Sequence, residues 1–327
     1  KEKFKIDTIR LSGTLINKNS QECVEIINNY FENRSFKKSQ FIFESRDKLD
    51  KSQINAIQHK YGPARVVAPA GSGKTLVLVN HVVELINSGI NPNGILCLAF
   101  NRDAAEQLIE RLNSLKINNR NPSGKSGVMI ATFNSYGYWL LRENGYGNHV
   151  IEDKETEEIA EQTINELNLN LPRLRGVDHR TNLLKSIAQI KRGLIPPSIE
   201  TCSFEDKKGD FFEYPAKPIF DKYQEISHRR QGLTFDDQIY YAVDFLCKNS
   251  IERNKFQKQI SHLIVDEYQD LNPAQISLLR LLTAYKAQIF AVGDDDQLIY
   301  SWRNVSSDNI VDFNNLFEGM KDYSLET

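Results

Sequence analysis

The stretch RVVAPAGSGKTLVLVNHVVELI (65–86) joins three pieces whose order decides the fold. RVVA reads as a short buried strand and APAGSGKT as a tight, small-residue turn. LVLVNHVVELI reads as a helix that stops at Ser88-Gly89. That order is what a phosphate loop needs. Small residues (Ala70, Gly71, Ser72, Gly73) let backbone N–H groups face phosphates, Lys74 neutralises the outer ones, and Thr75 offers a hydroxyl to Mg²⁺. The strict GxxxxGK[ST] pattern has Ala68 at its first position, and alanine still leaves the backbone room. The competing reading is an ordinary glycine-rich turn; strand, GKT and helix together favour nucleotide binding. A second GKS, in NPSGKSG (121–127), lacks a preceding apolar strand and a following helical run, and reads as a surface loop.

Four further apolar runs read as buried strands: ILCLAF (95–100), VMIAT (128–132), HLIVD (262–266) and QIFAVG (288–293). Helical spacing follows several of them, as in DAAEQLIERLNSL after Phe100. Strands alternating with helices imply an α/β fold with a parallel, doubly wound sheet whose ligand sits at the carboxyl ends of the strands. The middle of the chain differs. From 141 to 232 the pattern is helical and charged, broken at Ile195-Pro196-Pro197, with no convincing buried strand. These features predict an α/β core over 46–140 and 233–327, an α-helical insertion over 141–232, and an N-terminal extension over 1–45, part helical at QECVEIINNYF.

HLIVDEYQDLNPAQ (262–275) ends a buried strand on adjacent acids, Asp266 and Glu267, which is costly unless a cation sits there. A phosphate loop supplies the reason. A strand-end Asp near its Thr holds Mg²⁺, and the next carboxylate deprotonates the attacking water. Asp270 has the competing reading of a helix cap before Asn272-Pro273.

Composition narrows the class. The 327 residues carry a net charge of −2 with 40% hydrophobic and 26% charged residues, so the expectation is a soluble two-domain protein with no membrane span. Four scattered cysteines (Cys23, Cys97, Cys202, Cys247) form no metal motif and fit a reducing, cytoplasmic setting. The basic cluster His228-Arg229-Arg230 reads as a solvated face. Starting at Lys1 and ending at Ser324-Leu325-Glu326-Thr327, the chain looks cut at both ends.

Seven segments in order resemble superfamily 1 helicases of the UvrD/Rep type. LDKSQINAI (49–57) is like the Q motif, AGSGKT like motif I, LAFNRDAAEQLIERL (98–112) like motif Ia and TFNSYGYWLLR (132–142) like motif Ib. TFDDQIYYAVDFL (234–246) is like the segment before motif II, VDEYQDLNPAQ like motif II, and VGDDDQLIYSWRN (292–304) like motif III. The resemblance implies a P-loop NTPase (RecA-like) fold using ATP and Mg²⁺. Gln53 would read adenine, Lys74 and Thr75 would bind phosphates and Mg²⁺, Asp266 the Mg²⁺, and Glu267 would be the general base. Gln297 would sense the γ-phosphate. Phe100 and Trp302, with Tyr300 nearby and with Asn134 and Arg303, would contact single-stranded DNA or single/double-strand junctions by sequence-tolerant stacking and polar contacts. The family often has Arg where this chain has Leu76, His where it has Asn134, and Gly where it has Asn304. The family's second motor domain supplies arginines to the γ-phosphate, and nothing after Asn304 resembles its motifs. Such arginines contribute about 10³–10⁵ in rate in related enzymes, so this chain alone is expected to be near-inactive. The implied activity is a 3′→5′ DNA helicase or translocase. The alternative is a nucleotide-gated binding module without translocation; a GTPase-like switch would need an NKxD motif, which the sequence lacks.

Overall fold

The computed structural model describes residues 9–11, 14–16, 41–45, 48–171, 178–205, 211–283, 288–294 and 317–326. Two compact units divide the chain, Lys1–Phe41 and Ile42–Thr327. In the first, β1 (Ile9–Leu11) and β2 (Thr14–Ile16) pair antiparallel; the helix expected over QECVEIINNYF lies outside the described residues.

The second unit is built on seven strands: β3 (Ala64–Val67), β4 (Ile95–Ala99), β5 (Asn119–Arg120), β6 (Val128–Thr132), β11 (His262–Asp266), β12 (Gln288–Gly293) and β13 (Lys321–Ser324). They lie in the order β13-β3-β12-β11-β4-β6-β5, every neighbouring pair parallel. The five apolar runs all become strands of this sheet. β4 and β11 are buried along their whole length, because helices cover both faces of a parallel sheet and leave no polar side. β5 and β13 are edge strands that are short and polar, and no apolar pattern marks them.

The helices of the core are α1 (Lys51–Ile57), α2 (Lys74–Asn87), α3 (Arg102–Ser114), α4 (Phe133–Glu143), α8 (Asp237–Lys248), α9 (Ser250–Gln259) and α10 (Pro273–Leu282). Their starts are written in the sequence. Asp50 with Gln53, Thr132 with Ser135 and Asn272 with Gln275 each form reciprocal caps, and Asn101 caps α3. The cap of α10 is therefore Asn272, not Asp270, which sits a turn earlier in a 3₁₀ segment (Tyr268–Asp270). α4 and α8 cross closely because Gly137 carries no side chain. A Cβ there would lie 2.4 Å from the Gln238 carbonyl oxygen. NPSGKSG forms the surface connection between β5 and β6, as its composition predicts.

The middle of the chain has its own apolar cluster, including Ile159, Leu183, Ile187, Ile219, Phe220 and Tyr223 from α5 (Asp153–Glu166), α6 (His179–Gly193) and α7 (Ala216–Arg229). The expectation of no buried strand there is corrected. β8 (Thr201–Glu205) and β9 (Phe211–Pro215) form an antiparallel hairpin, and Cys202 and Phe204 are fully buried in that cluster. Only two apolar residues alternate in TCSFE, too few to stand out from a loop, yet period-2 spacing puts both on the inner face. A second short pair, β7 (His149–Val150) with β10 (Gly232–Leu233), runs parallel. The basic cluster on α7 is consumed by ion pairs: Arg229 with Glu166 and Glu225, and Arg230 with Glu155 and Glu158. Among the described residues no helix is long and apolar enough to cross a membrane.

Candidate nucleotide site and the adjoining sheet edge

β3 delivers the turn 68–73 to the start of α2. Ala68 N–H donates to the Gly293 carbonyl at 2.8 Å, tying the turn to the end of β12. Gly71 (φ 83°) and Gly73 (φ 89°) adopt the left-handed backbone that side chains disfavour, and between them the Ser72 N–H donates to the Pro69 carbonyl at 3.1 Å, closing a tight turn. Ser72 is buried, and its hydroxyl donates to the Pro69 carbonyl at 2.7 Å. Lys74 and Thr75 open α2, whose N-terminus adds the favourable end of the helix dipole.

Gln53 braces this turn from α1. Its amide Nε2 donates to the Ser72 carbonyl at 2.9 Å, and its Oε1 accepts from the Asp50 N–H at 3.1 Å. Each amide atom keeps one further bonding capacity. A Cβ on Gly73 would sit 2.9 Å from Gln53 Nε2, so the second loop glycine also makes room for the brace.

Strand order explains what meets Lys74. β12 lies between β3 and β11, so its carboxyl end falls between the phosphate loop and the Asp266-Glu267 pair. Lys74 Nζ stands 3.6 Å from Glu267 Oε2 and 3.7 Å from Asp294 Oδ2. Asp294, 3% exposed, follows QIFAVG as Asp266 follows HLIV; that parallel was the available signal, and the sequence reading assigned it no role. Gln269 links the two acids. Its Nε2 donates to Glu267 Oε2 at 2.8 Å and its Oε1 accepts from the Asp294 N–H at 3.1 Å. Gly293 permits this, because a Cβ there would lie 2.3 Å from Gln269 Oε1 and 2.6 Å from the Tyr268 ring.

Glu267 itself adopts φ 51°, ψ 53°, a left-handed conformation uncommon outside glycine, asparagine and aspartate. Asp266 is 6% exposed and accepts the Glu267 N–H at 3.1 Å. Burial pushes its carboxyl up to about 6, and the Glu267 charge adds to the rise. A buried carboxylate so reluctant to ionise fits a cation partner. The Asp266 carboxylate and the Thr75 hydroxyl are oxygen donors of the type that Mg²⁺ takes alongside phosphates. No group of three or more His, Cys, Asp or Glu side chains suited to a metal occurs among the described residues.

On the other side of β11, Phe100 follows β4 and Asn134 follows β6. Phe100 is 36% exposed just before α3. Asn134, in the first turn of α4, donates from Nδ2 to the Phe235 carbonyl at 2.7 Å, and Phe235 is 61% exposed. Phe235 is a second open aromatic on this edge that motif reading passed over, since a lone Phe before a helix carries no pattern. Gln297, Tyr300, Trp302 and Arg303 lie outside the described residues.

A parallel sheet with a phosphate loop after one strand, Asp-Glu after another and a third strand between them defines a RecA-like P-loop fold. Within that class the match is specific: the family model for the UvrD/REP helicase N-terminal domain covers residues 49–318, and the chain belongs to that family. Similar relatives include the ATP-dependent DNA helicase PcrA of Leuconostoc citreum, 29% identical over 81% of this chain and 35% of its own length. The ATP-dependent DNA helicase Rep of Buchnera aphidicola subsp. Schizaphis graminum is 30% identical over 85% of this chain and 41% of its own length. A probable DNA helicase II homolog of Mycoplasma capricolum is 32% identical over 83% and 37%. The chain thus spans about two fifths or less of these relatives.

Proposed function

We propose that this chain is the ATP-binding part of an ATP-dependent helicase or translocase acting on single-stranded DNA. The observation that carries the reading is Lys74 set between Glu267 and Asp294 beneath the phosphate loop, on the same sheet edge as the open aromatics Phe100 and Phe235. The names of PcrA and Rep support it.

In this reading the loop N–H groups and Lys74 take the phosphates, and Lys74 exchanges its carboxylate neighbours for phosphate oxygens. Mg²⁺, when bound, would offset phosphate charge, with Thr75 and Asp266 as the residues that hold it. Glu267 accepts the proton of the attacking water, its carboxylate oriented by the Gln269 amide. Gln53 keeps one donor and one acceptor for adenine. Phe100 and Phe235 stack on bases and Asn134 positions Phe235, and the family resemblance adds Tyr300, Trp302 and Arg303 as DNA contacts. The same resemblance gives Gln297 the sensing of the γ-phosphate. The family resemblance implies 3′→5′ movement and a second motor domain whose arginines close the cleft, so the chain by itself turns over ATP slowly.

The test is ATPase activity of the full-length protein with and without single-stranded DNA, comparing wild type with Glu267→Gln. Stimulation by DNA that the variant loses is the expected result. Undiminished turnover in Glu267→Gln would sink the base assignment. Nucleotide and DNA binding without stimulated turnover in the wild type would favour a nucleotide-gated binding module.

A further inference from the structure

A cavity of about 260 Å³ lies against the phosphate loop, lined by Gly71, Gly73, Lys74, Thr75, Leu76 and Arg111. Five of the six are the loop and the first turn behind it. Arg111 alone comes from elsewhere, near the end of α3, and brings a second cation to the wall. Leu76 leaves its own part of that wall apolar.

Arg111 is held by a partner that cannot follow it. Its Nη1 lies 3.3 Å from Glu44 Oε1 and 3.5 Å from Oε2. The Glu44 backbone is clasped by Asn80 of α2. Glu44 N–H donates to Asn80 Oδ1 at 2.7 Å, and Asn80 Nδ2 donates to the Glu44 carbonyl at 3.0 Å. Asn80 is fully buried, so the clasp fixes Glu44 to the same helix that carries Lys74 and Thr75. Arg111 and Glu44 side chains remain 38% and 25% exposed. An ion pair this open contributes little to stability. A phosphate offers more charge and several acceptor oxygens, which the planar guanidinium can meet with two parallel hydrogen bonds.

We propose that Arg111 binds the inner phosphates of the nucleotide held by the phosphate loop, and that Glu44 competes for it, holding Arg111 at the cavity wall until nucleotide takes it over. The inner phosphates are the ones within reach, because the cavity opens beside Thr75 and Leu76 rather than beside the Glu267–Asp294 wall. The inference rests on the reading of the loop as a nucleotide site. It adds a contact from α3 and a competing anion from the segment ahead of α1.

The experiment is calorimetric binding of ATP and ADP to the full-length protein and to Arg111→Met, Arg111→Lys, Glu44→Gln and Lys74→Ala. Arg111→Met is expected to weaken ATP and ADP alike by about tenfold, the scale of one charge-assisted hydrogen bond. That loss shrinks at high salt, as screening requires. Arg111→Lys falls between, keeping the charge without the fork. Glu44→Gln is expected to tighten both nucleotides by about threefold, the direction opposite to damage. Wild-type affinity in both Arg111 variants while Lys74→Ala has lost binding overturns the inference and leaves the loop reading intact. Glu44→Gln weakening nucleotide as much as Arg111→Met overturns it too, since the pair is then a structural brace. Normal binding by Lys74→Ala removes the nucleotide site itself. Thermal unfolding of each variant identifies any that is misfolded; if Arg111→Met is, Arg111→Lys and Glu44→Gln decide.

Discussion

Lys191 of α6 and Asp237, the first residue of α8, form an ion pair with no access to water. Lys191 Nζ lies 2.6 Å from Asp237 Oδ1, and the side chains are 0% and 1% exposed. Asp237 Oδ2 is satisfied by the Thr234 N–H at 3.0 Å and the Thr234 hydroxyl at 2.6 Å. Lys191 Nζ also sits 4.9 Å above the Tyr223 ring. The Nζ–Oδ1 contact is short but poorly aligned, so the pair is held mainly by charge at close range. Lys191→Met keeps the apolar stem and removes the charge, leaving a buried carboxylate with only Thr234. Removing one member of a buried pair costs about 3–5 kcal/mol. The unsatisfied remainder makes replacement of both members far milder. Lys191→Met/Asp237→Leu is expected to regain most of the loss, falling short by about 1–3 kcal/mol for the unpaired Thr234 groups. Urea unfolding measures this as midpoint shifts at constant slope. A loss below about 1 kcal/mol for Lys191→Met alone would refute the argument, because a charge left dry and unpaired cannot be that cheap.

Gly293→Ala should drive Gln269 off Glu267 and Asp294, lowering ATP turnover in the full-length protein more than ATP affinity; equal loss of both would point to general unfolding. His81 is fully buried, stacks on Phe290 at 3.8 Å between ring centroids and meets the Ile57 carbonyl through Nδ1 at 2.9 Å. Burial lowers its pKa to about 3, so the folded chain binds fewer protons than the unfolded chain between pH 3 and the ordinary imidazole range. Stability therefore falls as pH drops through that window, and His81→Phe should remove that slope in denaturant titrations. Asp266 has the opposite sign. Its folded carboxyl keeps a proton up to about pH 6, so ligand-free stability falls as pH rises from the ordinary carboxylate range to about 6, and Asp266→Asn should abolish that fall. Magnesium nucleotide binding at about pH 5 should correspondingly release close to one proton, read from calorimetry in two buffers, and almost none at about pH 8.

How much of this was legible depended on how each residue is surrounded. Strands β4 and β11 announce themselves because both faces are covered, so β4 is apolar throughout and β11 carries an unbroken apolar run from Leu263 to Val265. β13 does not, since Lys321 to Ser324 lie on an edge and are largely exposed. The phosphate loop, Asp266 and Glu267 were readable because the chemistry fixes residue types at fixed spacing. Asp294 is harder to read, because what brings it to Lys74 is the place of β12 between β3 and β11, which no spacing along the chain records. Arg111 was invisible for a related reason. It stands 37 positions from Lys74 in sequence, and its place on the cavity wall arises from the packing of α3 beside α2.

The left-handed backbone at Glu267 has a consequence for anyone wanting an inert form of the protein. A non-glycine residue held there carries conformational strain of about 1–3 kcal/mol. Glycine would adopt the same angles freely, so Glu267→Gly should raise the unfolding midpoint while abolishing turnover. Because the side chain held there is the proposed base, durability and activity pull in opposite directions at this position. The sturdiest trap for capturing bound ATP is then the variant without the side chain, not its isosteric glutamine.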